Sequence, residues 1–264
     1  MRAKRRLGQH FLTDPAILNG IVDALDPAPD DTVLEIGPGR GALTAILEAR
    51  ARRVVAIERD TDLIPQLERF LPGIEIVSGD ALALDWSAVV GESRFLIIGN
   101  IPYNITTPLI DKALAPPRQR RIVFLVQREV GDRVAAAPGS KAYGALSVGV
   151  QAVARPETML AVPAQAFRPP PKVDSVVLRL TPLDSPLVED GEVAVFRSVV
   201  TGLFASRRKQ LQRAIRHLTD WPRDVAVDVL SGLGIDPQAR AESLSPAAFV
   251  ALARALVDRG WRTG

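Results

Sequence analysis

The sequence contains no cysteine and only two histidines, His10 and His217. Without cysteine the chain forms no disulfides, has no thiolate zinc site and offers no cysteine nucleophile. The same shortage excludes a zinc deaminase, which needs a histidine and cysteine cluster, and a metal centre built from several histidines. We therefore expect no bound metal.

Long hydrophobic runs are also missing, because no apolar stretch approaches the ~18 residues that a membrane helix needs. The first residues, MRAKRRLGQHFL, are basic and have neither an apolar core nor a small-residue cleavage site, unlike a signal peptide. With 47% hydrophobic and 24% charged residues, the composition is that of a folded protein rather than a disordered one. We expect a cytoplasmic protein that is a monomer and has no membrane partner.

The net charge is only +3, but the basic residues are unevenly distributed. Three stretches combine several cations with no acid, and each of them alone could be a solvated surface. Together they favour a polyanionic partner. The three clusters are Arg2, Lys4, Arg5 and Arg6; Arg118, Arg120 and Arg121; and Arg197, Arg207, Arg208, Lys209, Arg213 and Arg216.

Short apolar runs alternate with helical patterns through the first two-thirds of the chain. Such alternation predicts a parallel sheet covered by helices on both faces. The predicted strands are Thr32–Ile36, Arg53–Ile57, Glu75–Ser78, Phe95–Gly99 and Ile122–Gln127. Two later strands are predicted at Leu146–Ala154 and Val173–Leu180, joined by the proline-rich stretch Pro163–Pro171.

The segment Pro182–Glu192 is rich in proline and acids and is typical of a linker. Helical patterns follow it at Val193–Leu218, Arg223–Gly232 and Ser245–Gly260. We therefore predict an α/β domain over residues 1–182 and a small, entirely helical domain over residues 183–264.

The pattern around Phe204–Leu218 predicts an amphipathic helix with a basic outer face. Its apolar stripe contains Phe204, Leu211, Ile215 and Leu218. Its cations lie opposite or beside that stripe, where they could contact a polyanion such as RNA. The candidate RNA-binding residues are Arg207, Arg208, Lys209 and Arg213.

A glycine-rich loop with the pattern E-x-G-x-G-x-G follows the first predicted strand, from Glu35 through Gly37 and Gly39 to Gly41. Glycines permit a tight turn and the close approach of a ligand to the backbone. The pattern differs from the dinucleotide fingerprint G-x-G-x-x-G. A carboxylate in the strand before the loop would repel a pyrophosphate, whereas it suits a cationic ligand such as a sulfonium or an ammonium group.

Acids close the next two predicted strands, and ligands of open α/β sheets bind at the carboxyl ends of the strands. Glu58 could accept hydrogen bonds from the two hydroxyls of a ribose, and Asp80 could accept from an adenine amine. Either acid alone could simply cap a helix. Together with the glycine loop they indicate an S-adenosylmethionine site in a Rossmann-like sheet of the class I methyltransferase type.

The fourth predicted strand runs into Asn100-Ile101-Pro102-Tyr103. An exocyclic amine on a base is a poor nucleophile, because its lone pair is delocalised into the ring. The Asn100 side-chain oxygen and the Ile101 carbonyl, held by Pro102, could accept its two hydrogens and stabilise the developing positive charge. Tyr103 could stack on the base. The motif thus predicts methylation of an exocyclic amine without a strong base.

Taken together, these motifs resemble those of the rRNA adenine N6,N6-dimethyltransferases, a family that includes bacterial small-subunit enzymes, their eukaryotic relatives and the Erm resistance enzymes. The resemblance spans nearly the whole chain. It is carried by LGQHFL at Leu7–Leu12, EIGPGRG, NIPYNI, SKAYG at Ser140–Gly144, FRPPPKVDS at Phe167–Ser175, RRK at Arg207–Lys209 and RAE at Arg240–Glu242. The FRPPPKVDS and RAE stretches favour the bacterial small-subunit branch of the family over the Erm branch.

The resemblance implies roles for particular positions. The family's methyl donor contacts the positions of His10, Leu12, Gly37, Glu58, Asp80 and Asn100. Phe167 would be a second aromatic wall around the flipped adenine, opposite Tyr103. Many bacterial members have asparagine at the position of His10 and serine at that of Thr106, so the fine geometry there is expected to differ.

The implied substrate is a pair of adjacent adenines in the 3′-terminal hairpin loop of small-subunit rRNA, methylated on the immature 30S subunit during ribosome biogenesis. One alternative is a large-subunit rRNA methyltransferase of the resistance type. Another is a non-catalytic RNA-binding assembly factor or a transcription factor, although such a protein would not need the Asn100–Tyr103 motif. A DNA adenine methyltransferase would need an added target-recognition domain, which the sequence does not suggest.

Overall fold

The chain forms two compact units in the computed structural model, which describes Lys4 and residues 7–262. The first unit comprises the residues up to Gly131 together with Pro156–Pro182. The second comprises Asp132–Arg155 and the residues from Leu183 onward.

The strands form one large sheet and one small one. The strands of the described residues are β1 (Phe11–Leu12), β2 (Thr32–Ile36), β3 (Arg53–Glu58), β4 (Glu75–Ser78), β5 (Leu96–Asn100), β6 (Ile122–Gln127), β7 (Ala154–Val162), β8 (Phe167–Arg168) and β9 (Ser175–Pro182). The large sheet has seven strands in the order β4-β3-β2-β5-β6-β9-β7. Its first five are parallel, and β9 runs antiparallel to β6. Strands β1 and β8 form a separate antiparallel pair.

The α-helices follow the strands in the first unit and dominate the second. They are α1 (Pro15–Leu25), α2 (Ala42–Glu48), α3 (Ile64–Phe70), α4 (Trp86–Val90), α5 (Thr106–Ala113), α6 (Arg128–Val134), α7 (Ala145–Gln151), α8 (Val193–Ala205), α9 (Leu211–Thr219), α10 (Arg223–Gly232) and α11 (Pro246–Asp258). Ser245 caps α11, where its side chain accepts from the Ala248 amide.

The first unit is built around the central strands β2, β5 and β6, whose side chains are almost all buried. Helix α1 covers one face of them with Ile21, Val22 and Leu25. This double-sided burial explains why these strands read as continuous apolar runs rather than alternating ones. The five predicted parallel strands are confirmed to within one residue at either end.

The strand predicted at Leu146–Ala154 is wrong, because helix α7 occupies most of that stretch. Its valines favour a strand locally, but two polar side chains require helical spacing. The Ser147 hydroxyl donates to the Arg133 carbonyl, and Gln151 donates to the Val134 and Ala136 carbonyls. Residues four apart are separated by about 6 Å along a helix but by about 13 Å along a strand, so the helix brings both side chains to the neighbouring carbonyls of residues 133–136.

The structure also divides the chain differently from the continuous 1–182 domain predicted above, since residues 132–155 belong to the second unit. Tyr143 is fully buried there, and its hydroxyl donates to the Leu244 carbonyl at 2.9 Å. The Gly139 amide donates to the Glu242 carbonyl at 2.7 Å. These partners lie about a hundred residues further along, so local composition gives no sign of them.

The single helix predicted over Val193–Leu218 is instead two helices, α8 and α9, separated by residues 206–210. The Leu211 and Gln212 amides donate to the Ala239 and Pro237 carbonyls at 2.8 and 3.1 Å. These carbonyls satisfy free amides at the start of α9, so the helix can begin there without continuing from α8.

Within the described part of the chain, no helix has the length and apolar character needed to cross a membrane. The same residues contain no group of three or more histidine, aspartate or glutamate side chains arranged to hold a metal ion.

Candidate active site

A cleft opens at the carboxyl ends of β2–β5, where the strand order reverses between β2 and β5. This switch point is where open α/β sheets bind ligands. The N-terminal strap, defined as residues 7–12, also lines it. Most of the residues predicted to bind a methyl donor lie in the lining: His10, Leu12, Glu35, Gly37, Gly39, Glu58, Asp80 and Asn100.

Two glycines of the loop have different roles. Gly39 has a φ of +59°, and a Cβ there would lie 3.1 Å from the ring of Phe11 in the strap. Gly41, with a φ of +81°, is the N-cap of α2, and a Cβ there would lie 2.8 Å from the Leu71 side chain. Gly41 is not among the cleft-lining residues. The close approach of Leu71 shows that Gly41 serves helix packing, and its contact with a ligand stays a prediction.

Glu58 at the end of β3 is buried and connects the glycine loop to the following turn. Its Oε2 accepts from the Gly39 amide at 3.0 Å, and its Oε1 accepts from the Asp60 amide at 2.7 Å. Burial raises the pKa of Glu58 above its usual value, with the backbone donors opposing the shift. Each carboxylate oxygen has two lone pairs, so the group can still accept from a ligand's hydroxyls.

Glu35 lies behind the loop, fully buried within β2. Its Oε2 has no hydrogen-bond partner among the described residues. Burial raises the pKa of Glu35 to about 7, and the nearby charge of Glu58 adds to the shift. An unpaired buried carboxylate is costly, and a cationic ligand in the cleft would relieve that cost. The two acids Glu35 and Glu58 therefore fit the positively charged donor predicted from the sequence.

The shifted pKa of Glu35 predicts a specific pH dependence of stability. The native state retains a proton up to about pH 7, whereas the unfolded chain loses it near pH 4.5. The cost of ionising Glu35 in the fold therefore develops between these values as the pH rises. Glu35→Gln should stabilise the protein by on the order of 3 kcal/mol at pH 8 and by little at pH 4.5.

The comparison is made by measuring thermal midpoints of both proteins across this pH range without ligand. Using the difference between variant and parent cancels the titration of all other groups. A midpoint difference that does not change with pH would show that Glu35 is ionised in the fold as easily as in the unfolded chain.

Asp80 follows β4 and has two partners. Its Oδ1 accepts from the Leu82 amide at 3.0 Å, and its Oδ2 lies 3.3 Å from the guanidinium of Arg59. The carboxylate thus caps a turn and also lines the cleft. Both interpretations that the sequence allowed are compatible with this placement.

The side chain of Asn100 is oriented by the N-terminal strap. Its Nδ2 donates to the His10 carbonyl at 2.9 Å, which leaves Oδ1 as an acceptor. The Tyr103 hydroxyl lies 2.7 Å from the Ser175 hydroxyl, and burial raises the pKa of Tyr103. Thr106 donates to the Pro102 carbonyl at 3.4 Å, so a hydroxyl still supports the motif at this position. Asn100, Ile101, Pro102 and Tyr103 all line the cleft.

His10, not Phe167, provides the aromatic neighbour of Tyr103. The two rings are stacked, with centroids 5.8 Å apart and an interplanar angle of 18°. The Nδ1 of His10 lies 2.8 Å from the Pro169 carbonyl oxygen. Phe167 is 0% exposed, belongs to the apolar core and does not line the cleft. The structure therefore does not place Phe167 as a wall opposite Tyr103.

The strap and the glycine loop make a further contact that the sequence motifs do not predict. The guanidinium of Arg40 lies 4.4 Å from the centre of the Phe11 ring, a cation–π distance. The sequence shows only the two partners of this contact, the cation Arg40 within the glycine-rich pattern and the aromatic residue Phe11 within LGQHFL. Only the fold shows that they meet.

The three basic clusters of the sequence differ in how many of their cations form ion pairs with acids. In the second unit, Arg207 donates to the Glu242 carboxylate at 2.8 Å and to the Lys141 carbonyl at 3.0 Å. These contacts help to hold the second unit together, and an RNA contact of Arg207 stays a prediction. Arg208, Lys209 and Arg213 are exposed and have no ion-pair partner among the described residues.

Two members of the cluster at residues 118–121 are paired with acids. Arg120 contacts Asp31 at 2.6 Å, and Arg121 contacts Asp26 at 2.9 Å. The cluster precedes β6 and so lies at the opposite end of the sheet from the cleft. Of the N-terminal cluster, Lys4 pairs with Asp60 and Asp62, and Arg2, Arg5 and Arg6 lie outside the described residues.

Three features together define a class I methyltransferase. They are the parallel sheet with its antiparallel strand β9, the acid and glycine loop at the switch point, and the NIPY motif, Asn100–Tyr103, at the end of β5. The family model for ribosomal RNA adenine dimethylase matches residues 1–258. The chain belongs to this family of rRNA adenine dimethyltransferases.

Individual relatives agree with this assignment. The chain is 42% identical over 259 residues to ribosomal RNA small subunit methyltransferase A of Myxococcus xanthus, covering 97% of this chain and 92% of the relative. It is 46% identical over 264 residues to the protein of the same name from Thermosynechococcus vestitus, covering 97% of each.

Two solved structures are similar over nearly the whole chain. A dimethyladenosine transferase from Plasmodium falciparum is 26% identical with a TM-score of 0.85, covering 95% of this chain and 98% of its own. The 23S rRNA methyltransferase ErmE is 28% identical with a TM-score of 0.74, covering 94% and 99%.

Proposed function

We propose that this enzyme uses S-adenosylmethionine to dimethylate the N6 amines of two adjacent adenines in the 3′-terminal hairpin loop of 16S rRNA. Its partner is the immature 30S subunit in the cytoplasm, and it acts as a monomer without a metal. The observation that supports this most is the position of the Asn100–Tyr103 motif beside the acid-lined cleft. The identity of 42–46% to proteins named small subunit methyltransferase A supports the choice of subunit.

The cleft residues fit the donor by their chemistry. When bound, S-adenosylmethionine supplies a methyl group activated by a sulfonium centre. Glu58 accepts from the ribose hydroxyls, Asp80 accepts from the adenine amine, and Glu35 provides negative charge behind the loop. The backbone at Gly37 and Gly39 allows close approach, with His10 and Leu12 contributing from the strap.

The NIPY motif prepares the target amine. Asn100 Oδ1 and the Ile101 carbonyl accept its two hydrogens, which directs the nitrogen lone pair towards the methyl group and stabilises the charge that develops on nitrogen. The ring of Tyr103 supports the base. Bases of a hairpin loop unstack at low cost, which suits a site that must receive one adenine at a time.

The exposed cations of the second unit are proposed to contact rRNA phosphates. Replacing Arg208, Lys209 and Arg213 together with glutamine should weaken binding of the 30S subunit and leave donor affinity unchanged. Each lost phosphate contact should reduce the salt slope of log K by about 0.7–0.9. The loss should be similar for altered target sequences, since phosphates carry no base identity.

Arg207→Gln is the matched control, because Arg207 is bound to Glu242 and Lys141. It should lower the thermal midpoint while changing the salt slope little. A triple variant that is folded and keeps the parent's salt slope would identify the three cations as a solvated surface.

The choice of subunit is tested by incubating 30S and 50S subunits, each lacking the relevant methylation, with isotopically labelled donor. The proposal predicts incorporation into 30S alone. Incorporation into 50S would identify the resistance-type activity, and incorporation into neither would favour an assembly factor.

A further inference from the structure

Asp60 is a buried acid that lies outside the cleft and has no role in the mechanism above. Only 4% of its surface is exposed. Its carboxylate pairs with the ammonium of Lys4 and accepts from the Gln9 side-chain amide at 2.7 Å. A buried acid with such partners organises the segments that provide them.

Gln9 is held at both ends of its amide group. Its Nε2 donates to Asp60, and its Oε1 accepts from the Lys4 backbone amide at 2.8 Å. The next residue in the strap is His10, whose carbonyl accepts from Asn100 Nδ2. A continuous path of contacts therefore leads from Asp60 through the strap to Asn100.

Asp60 also contacts Glu58, the residue proposed to bind the ribose of the donor. Its backbone amide donates to Glu58 Oε1 at 2.7 Å. Its Oδ1 accepts from the Asp62 amide at 3.2 Å, which fixes the turn after β3. The same residue thus holds the strap on one side and the ribose-binding carboxylate on the other.

The charge state of Asp60 supports this role. Burial alone would oppose its ionisation, but the hydrogen bonds from Lys4 and Gln9 outweigh burial and hold the pKa of Asp60 below its usual value. Asp60 is therefore an acceptor throughout the neutral pH range, and Gln9 must present its NH₂ to it.

We infer that Asp60 is a positioning residue for the methyl donor, which holds the strap against the cleft through Gln9 and so fixes the His10 carbonyl against Asn100. The inference rests on the proposed donor site. It predicts that weakening the Asp60–Gln9 contact raises the donor KM and leaves the rate at saturating donor nearly unchanged, because the donor itself then restores the strap.

Reciprocal substitutions test the contact. Asp60→Asn turns an NH₂ towards the NH₂ of Gln9, and Gln9→Glu turns a carboxylate towards the carboxylate of Asp60. Rotating the Gln9 amide would only transfer the conflict to the Lys4 amide. The double variant Gln9→Glu/Asp60→Asn pairs a donor with an acceptor again.

Each single variant should raise the donor KM about tenfold, with kcat within about twofold of the parent. The double variant should recover to within about threefold. Asp62→Asn is the matched control, because Asp62 contacts the same lysine but is 59% exposed and does not contact Gln9. It should change the KM by less than about twofold.

Unchanged donor KM in both single variants would overturn the inference, as would equal losses in the two singles and the double. Thermal midpoints establish that each variant is folded. Lys4→Met, at a side chain 28% exposed, carries the test if Asp60→Asn does not fold, and it too should raise the donor KM. A parent protein that binds no donor would instead refute the proposed function.

Discussion

Replacing Asn100 with alanine is expected to slow methylation at saturating donor and rRNA by about 100- to 1,000-fold, the usual effect of removing one group that stabilises developing charge. The Asn100 oxygen is the side-chain acceptor at the target amine, and the Ile101 carbonyl cannot accept both hydrogens. Binding of rRNA should change little, since its phosphate contacts lie elsewhere. Single-turnover rates with 30S subunits, measured beside equilibrium binding, provide the comparison.

Asn100→Asp is the matched variant. It keeps an oxygen for the amine but loses the NH₂ that donates to the His10 carbonyl. We expect it to retain more of the methylation rate than Asn100→Ala and to show a weaker donor affinity. If Asn100→Ala instead abolished rRNA binding while the bound complex turned over normally, the role assigned to Asn100 would be wrong.

Replacing Glu58 with alanine is expected to weaken donor binding about 100-fold. The variant removes the acceptor for two ribose hydroxyls and for the Gly39 and Asp60 amides. Each buried polar group left without a partner costs about 1–3 kcal/mol. Calorimetric titration with S-adenosylhomocysteine measures the loss, and the thermal midpoint shows whether the fold survives.

Glu58→Gln should recover little of this affinity. Both Glu58 oxygens accept from backbone amides, so a glutamine must turn its NH₂ towards one of these donors. If the site required only a polar side chain at this position, Glu58→Gln would instead restore nearly the full donor affinity of the parent protein. Unchanged donor affinity in Glu58→Ala would remove Glu58 from the site.

Much of the cleft was predictable because its parts come from the ends of buried parallel strands. Continuous apolar runs mark such strands, and polar residues directly after them must meet at one edge of the sheet. Glu58, Asp80 and Asn100 were found in this way, and all three line the same cleft.

The remaining features depend on contacts between distant parts of the chain. The ion pair of Arg207 with Glu242 joins residues 35 positions apart, so the local pattern around Arg207 gives no sign of it. The strand predicted at Leu146–Ala154 failed because tertiary hydrogen bonds of Ser147 and Gln151 outweigh the local preference of valine. Phe167 was assigned to the cleft by resemblance, whereas the fold buries it in the core.

Mass spectrometry of 16S rRNA fragments after incubation of unmethylated 30S subunits with the enzyme and labelled donor tests the central claim most directly. The account predicts N6,N6-dimethyladenosine at two adjacent adenines of the 3′-terminal hairpin loop, with label in all four methyl groups, and almost none with Asn100→Ala. Dimethyladenosine only at another site, or a 16S rRNA left unmodified by an enzyme that binds both donor and subunit, would contradict it.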